Sequence, residues 1–547
     1  MKKRVFIVND ASFLNTGYSI YGKEILTRLH KNPNFEVAEL GCYCDISNSQ
    51  IKNIPWKFYP NAVTSNDQRS NEYKSNMLNR FGLWRFNRCV ADFKPHIVFD
   101  IRDYWMFAYQ ENSPFKKYFH WVIMPATDSS PPKIEWLYTY NNADVVIPYT
   151  DWAKKVLSEH CGSQINLFPK IANAGINPEE FYPLENKKQH KINYLGEDLS
   201  VVGLVMRNQK RKLFPDIMLA YKKYLERLKS SSQTELYQKS YLYLHTSYPE
   251  DAGWDIPGLL LEYGLLDKTF LTYVCRECKE FFPSKFQGPI AKCIHCNNGT
   301  ATIASSSVGV DTKQLNQIYN FFDLFVQYAI CEGFGMPQVE AAACGIPIAS
   351  VDYSAMTEIV SKLDGYAIPV NRVFRELETN ADRVYPDIDA TTDIMYNFFV
   401  NTTEEQRKAK NIETRQKCIS YYTWDNVYSV WEECFNSIDI TKKLSWSSQP
   451  MPQPSHKSIK VPKNLSNTNF VEYICHHVLN NRDLLKTANI QSLIRDLSNG
   501  IIARDGNMTM INKNQAINIL ESYLNNQISC EKMRSEPQAI PKEDFIQ

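Results

Sequence analysis

No segment of the 547-residue sequence approaches the roughly 20 consecutive apolar residues that a membrane-spanning helix needs. Nor is there a secretory core: the basic start "MKKRVFIVNDASF" loses its apolar run after four residues, at Asn9 and Asp10. That run reads as a first strand, and a cytosolic, membrane-free location is expected. Charge of one sign is also missing, with 61 Lys and Arg against 60 Asp and Glu. Nothing therefore draws the whole chain to nucleic acid or anionic lipid, and such a partner would need a local basic patch. A disulfide framework is missing too. Of 14 cysteines, ten are scattered and four form one tight cluster, which favours reduced thiols plus a metal.

What is present is length and alternation. A chain this long exceeds what one core organises, so two or more domains are expected. Short apolar runs ("RVFIVND", "HIVFDI", "YFHWVIMPA", "DVVIPYT") alternate with helical patterns such as "SIYGKEILTRLHK" and "TDWAKKVLSEHC", the signature of a parallel sheet wrapped by helices. The alternation restarts at "LSVVGLVMRN" and runs to "TWDNVYSVWEECFNSI". This predicts an α/β first domain over residues 1–190 and an α/β second domain over 191–438. A Pro-, Ser- and Lys-rich linker or strap follows over 439–464, and then a small helical appendage over 465–547. Beyond the duplicated α/β plan there is no internal repeat.

The most informative stretch is "EGFGMPQVEAAACG", Glu332 to Gly345, directly after the apolar "FDLFVQYAIC". Pro337 suits a first helical turn and Gly345 a helix end. Glu332, Gly333, Phe334 and Gly335 then lie at the carboxyl edge of a parallel sheet, where open α/β domains bind ligands. Free amides of a glycine turn favour an anion, whereas the two glutamates, with seven residues between them, do not. A ligand that combines phosphate with vicinal hydroxyls wants both, because a carboxylate accepts from two hydroxyls at once. A nucleotide sugar has that chemistry.

These residues resemble the signature of family 4 retaining glycosyltransferases, whose GT-B fold sets two Rossmann-like domains across a cleft. The resemblance covers about residues 3 to 438. It includes "VGLVMRNQKRK", "TGYSIYGKEIL" and "INLFPKIANAGINPEEFYPL". It implies that Glu332 meets the transferred sugar and that the Gly333–Phe334–Gly335 turn meets sugar hydroxyls or diphosphate. It also implies that Glu340 holds the ribose, that Arg207 and Lys212 neutralise the leaving diphosphate, and that Gly17 lets the backbone approach the donor. The donor would be a UDP- or GDP-sugar. Many members carry a His beside the sugar, where this sequence has "HWVIMPATDSS"; Asp128 is the candidate polar group there, with Asp100 and Asp103 behind it. His120 falls within the strand and reads as a packing residue.

The cysteine cluster, "CRECKEFFPSKFQGPIAKCIHC", pairs two Cys-x-x-Cys knuckles, Cys275 with Cys278 and Cys293 with Cys296, separated by fourteen residues. Two knuckles complete a tetrahedral zinc shell with no open position, so a structural Zn2+ is expected in a ribbon over 272–303 that protrudes from the second domain. His295 reads as a bystander. Redox use of the thiols is the rival reading.

A nucleotide-sugar-dependent transferase is therefore expected. A noncatalytic module binding nucleic acid or protein on the same scaffold is the alternative. The acceptor stays open among glycans, small molecules and hydroxymethylated bases of DNA. The ribbon and "TGYSIYGKEILTRLHK" also resemble glycosyltransferases of tailed bacteriophages, which would place the protein in the host cytoplasm. The stretch after Ile440 carries thirteen Lys or Arg against nine Asp or Glu, which suits DNA.

Overall fold

The structure is a computed structural model that describes residues 2–161, 165–297, 299–305 and 308–447, together with the backbone of 501–504 and 507–510. The first sheet comprises β1 (Lys3–Asp10), β2 (Phe35–Cys42), β3 (Lys57–Pro60), β4 (Ile97–Asp100), β5 (His120–Ile123) and β6 (Val145–Val146). All pairs are parallel, in the order β3-β2-β1-β4-β5-β6. Val5, Phe6, Ile7 and Val8 are fully buried on alternate faces of β1, as expected for a strand covered on both sides.

The second sheet repeats the plan. Its strands are β7 (Ser200–Val205), β8 (Ser240–His245), β9 (Thr269–Cys275), β10 (Phe281–Ser284), β11 (Ile290–Lys292), β12 (Thr300–Ile303), β13 (Leu324–Gln327), β14 (Ile348–Val351) and β15 (Tyr366–Ile368). The path β9-β8-β7-β13-β14-β15 is parallel throughout. Chain order reverses between β1 and β4 in one sheet and between β7 and β13 in the other, and open sheets bind ligands outside such points.

Three helices matter for the site: α1 (Gly17–Lys31), α2 (Met336–Ala343) and α3 (Trp424–Ser437). The Thr16 hydroxyl caps α1 at Ser19 N. Gly335, at φ +96°, and Pro337 start α2, and Gly345, at φ +71°, leaves it, as the sequence predicts. By sequence α3 closes the second domain, yet it packs on the first. Trp431 lies 5.1 Å from Phe99 and donates its indole N–H to the Tyr21 hydroxyl at 2.8 Å. The Lys3 ammonium caps the carbonyls of Phe435 and Asn436 in the last turn of α3 and of Ile438 just beyond it. Gly175 is needed where the two crossing segments meet, because a Cβ there would sit 2.6 Å from Trp424 N.

The ribbon is continuous with the second sheet: β9 is at once a strand of the main sheet and the arm of the first knuckle, and β10 and β12 pair with it antiparallel. Phe281 stacks on Tyr194 at 5.5 Å, which fastens the ribbon to the helix Lys187–Leu195. The appendage over 465–547 lies outside the described residues except for a short antiparallel hairpin, Ile501–Arg504 with Asn507–Met510, in a region read as helical. The first residues of the strap, to Ser447, lie on the first domain, where Trp446 stacks on Tyr118 at 4.7 Å.

Candidate functional site

The loops after β7 and β13 leave the second sheet at its switch point and meet around Glu332. This carboxyl is buried. Arg211 donates to its Oε2 at 2.8 Å, Gln327 donates to its Oε1 at 2.8 Å, and Lys212 forms an ion pair with the same Oε1. The Ser354 hydroxyl accepts from Glu332 N at 3.0 Å. Burial and the neighbouring Arg211 charge pull the Lys212 ammonium well below the ordinary lysine range, and the pair with Glu332 opposes that loss of charge. Lys212 thus lies against Glu332. Arg211 joins it, a residue the sequence reading passed over. Arg207 does not reach it: its half-exposed guanidinium lies on Glu250, itself held by the Ser247 hydroxyl.

The glycine turn brings the two domains together. A Cβ on Gly333 would lie 3.6 Å from the Ala126 carbonyl oxygen, and one on Gly17 would lie 3.7 Å from Met336 Sδ at the start of α2. Phe334 is buried and stacks on Tyr149 of the first domain at 5.3 Å. Glu340 faces inward from α2 and accepts from the Tyr319 hydroxyl at 2.6 Å. Burial pushes its carboxyl up to about 7 against that hydrogen bond.

On the first domain, Asp128 lies at the cleft. Cys331 Sγ of the second domain is 3.6 Å from its Oδ2, and Arg383 is 3.6 Å from its Oδ1. Asp103 is within its field: burial, followed by repulsion from Asp128, raises Asp103 to about 7, and a hydrogen bond from Tyr18 and the Arg211 charge oppose the rise. Asp100 is a correction. Fully buried, it accepts from Arg102 in a two-point ion pair at 2.9 and 2.6 Å and from Gln110 at 2.7 Å, which leaves it a structural role. His120 lies in β5 with Nε2 at 3.0 Å from the Asp439 carbonyl, the packing role expected of it.

The four ribbon thiols converge. The Sγ atoms of Cys275, Cys278, Cys293 and Cys296 all lie within 4.8 Å of one another, with Cys275–Cys296 at 3.8 Å and Cys278–Cys293 at 3.7 Å. Zn–S bonds of about 2.3 Å in a tetrahedron require S–S edges of about 3.8 Å, so these thiolates fit that ion. His295 turns its Nε2 to the Phe281 carbonyl at 3.0 Å and stays out of the cluster.

Comparison with known proteins agrees with this geometry. Residues 307–382, which hold the Glu332 loop and α2, match the family of glycosyl transferases group 1. The sequence finds no match among curated proteins. Among solved structures, sucrose-phosphate synthase from Thermosynechococcus elongatus superposes with a TM-score of 0.57 at 15% identity, over 80% of this chain and 98% of that one. A glycosyltransferase from Rickettsia africae gives 0.53 at 12% identity, over 81% and 99%. Anabaena HepE, in complex with UDP and glucose, gives 0.54 at 13% identity, over 80% and 100%. The chain therefore has a GT-B-like α/β fold, shared with solved glycosyltransferases.

Proposed function

We propose that the protein is a retaining glycosyltransferase that binds a UDP- or GDP-sugar on its second domain and passes the sugar to an acceptor hydroxyl presented by its first. The observation that carries this reading is the meeting of Glu332 with Arg211 and Lys212 at the switch point of the second sheet, facing the first domain. A carboxylate beside two cations suits a ligand with hydroxyls next to a diphosphate. As the anomeric bond breaks, Arg211 and Lys212 stabilise the charge gathering on the leaving diphosphate, and Glu332 faces the sugar where positive charge develops. The acceptor hydroxyl attacks from the face the diphosphate leaves, and domain closure holds the reactants in line and excludes water. Glu340 binds the ribose. The ribbon cysteines hold one structural Zn2+, which supplies folding free energy and no chemistry at the cleft.

UDP-glucose is the first donor to try, because HepE binds UDP and glucose on the same fold. Incubation with UDP-, GDP- and ADP-sugars, alone and with simple sugars or duplexes containing 5-hydroxymethylcytosine or 5-hydroxymethyluracil, should release nucleotide with at least one donor. Failure to bind any of them would overturn the reading.

A further inference from the structure

After β15 the chain forms a hairpin of two antiparallel strands, β16 (Val370–Arg375) and β17 (Asp382–Pro386), which belongs to neither main sheet. It reaches across the cleft. Asp382 N donates to the Ser130 carbonyl at 2.8 Å, and on the other side Val384 N donates to the Ile330 carbonyl at 3.2 Å. Ile330 N in turn donates to the Arg211 carbonyl at 3.0 Å, and Glu378 at the hairpin tip lies 3.4 Å from Lys210. The hairpin thus touches the cation loop, the Glu332 loop and the opposite domain together.

Its central side chain is Arg383, 2% exposed. Two partners are its own hairpin's: Glu376, which accepts from Nε at 3.0 Å, and Thr379, which accepts from Nη2 at 3.3 Å. The rest belong to the first domain. Nη1 donates to the Asp128 carbonyl, Nη2 donates to the Ser129 hydroxyl at 3.0 Å, and Nη2 lies 3.6 Å from the Asp128 carboxylate. A rigid planar fork fixes main chain and side chain of one residue together, which a lysine cannot do. Parting the domains would leave this buried cation with Glu376 as its carboxylate partner, so its partners favour closure.

We propose that Arg383 is a positioning residue: from the second domain it sets the place of Asp128 in the first, and the hairpin 370–386 is a clasp that completes the acceptor half of the site when the cleft closes. The role of Asp128 rests on the glycosyltransferase reading, whereas the clasp rests on the contacts alone.

Hydrogen exchange over residues 126–132, UDP affinity by calorimetry and UDP release from UDP-glucose should be measured on the full chain, on Arg383→Gln and on Arg383→Lys. Arg383→Gln should speed exchange in that segment and slow release by about 10–100-fold, the cost of a catalytic group displaced by about 1 Å. UDP affinity should stay within about twofold, because the nucleotide half of the site is untouched. Arg383→Lys should fall between the two and serves in its place if the glutamine variant does not fold. The double variant Arg383→Gln/Asp128→Asn should be no slower than Asp128→Asn, because the two residues act as one unit. Unchanged exchange, or losses that multiply in the double variant, would overturn the proposal. If the wild type binds no nucleotide or nucleotide sugar, the glycosyltransferase reading fails and exchange at 126–132 decides the clasp by itself.

Discussion

Where β1 and β4 part, the first sheet sets Asp10, Asp100 and Asp103 at its carboxyl edge, with Asp128 one loop further, and its Arg102 is sealed in the ion pair with Asp100. Where β7 and β13 part, the second sheet sets Arg211 and Lys212 on Glu332, with Arg207 nearby in the same loop but committed to Glu250. The strand order and direction are the same, and the side chains carry opposite charge. On the proposed reading, one scaffold thereby serves two ligands. An anionic diphosphate is repelled by the first edge and drawn to the second, whereas a neutral hydroxyl is tolerated by the first. Because the chain as a whole is nearly neutral, this division is invisible in its net charge of +1.

The contrast breaks most severely if the basic edge loses its acid. Glu332→Gln should lower turnover by about 10²–10³-fold, the range for removing one preorganised electrostatic group. It also strands Lys212 without its carboxylate, which should cost about 3–5 kcal/mol of stability. Steady-state nucleotide release and urea unfolding check the two effects separately. Unchanged turnover would remove Glu332 from the reacting centre.

Next comes the choice among the cations. Arg211→Ala and Lys212→Ala should each slow turnover by about 10–100-fold with a smaller change in donor binding, since charge on the leaving group peaks in the transition state. Arg207→Ala should cost only about two- to fivefold, because that side chain is half exposed and committed to Glu250, and exposed ion pairs contribute little. A dominant Arg207 would shift the diphosphate towards the Glu250 loop.

Metal removal asks how far the second sheet depends on its ribbon. Since β9 is shared, Cys293→Ser or zinc chelation should loosen β9 and β12 and lower the melting temperature by about 5 °C, a loss of roughly 2 kcal/mol for a domain of this size. Elemental analysis should find one zinc per chain. Hydrogen exchange should show the first sheet unaffected. A metal-free protein with the same melting point would refute the site.

The Glu332 turn, α2 and the paired knuckles were legible because each is a local pattern whose spacing is itself the chemistry. Lys212 was named from the sequence but Arg211 was not, since that both adjacent side chains turn to Glu332 depends on how the loop is held, with the Arg211 carbonyl accepting from Ile330 N, a tertiary contact. Asp100 and Asp103 looked alike in "FDIRDYWMF". Arg102, between them, turns inward onto Asp100 and leaves Asp103 to Tyr18 and the cleft. Arg383 was out of reach altogether, since it and the Asp128 carbonyl it serves are 255 residues apart. The ribbon's union with the sheet was hidden because "FLTYVC" ends a core strand and begins a knuckle in the same residues.

The smallest effect concerns a feature that both edges share: each holds a carboxyl pushed up to about 7, the buried Glu340 on the second and the half-buried Asp103 on the first. For Glu340 the cause is burial, so the neutral form is favoured below pH 7 and the carboxylate above it. A ribose offers two hydroxyls, and the carboxylate accepts from both better than the protonated acid does. Donor binding should therefore strengthen as pH rises through about 7, with KM falling by at most tenfold per pH unit below that point. Stability of the empty protein should move the other way. A carboxyl raised on folding from 4.5 to about 7 holds its proton more tightly in the folded state, and its contribution is lost as pH rises through that range. The donor-induced rise in melting temperature should thus grow between pH 6 and 8 while the empty protein's melting temperature declines. Glu340→Gln should flatten the KM profile, raise KM at pH 8 by about three- to tenfold and leave turnover nearly unchanged, as for a contact made equally in ground and transition states. Asp103→Asn should leave donor KM alone and alter the pH dependence of turnover instead. If Glu340→Gln lowers turnover more than Glu332→Gln does, the roles of the two glutamates are reversed.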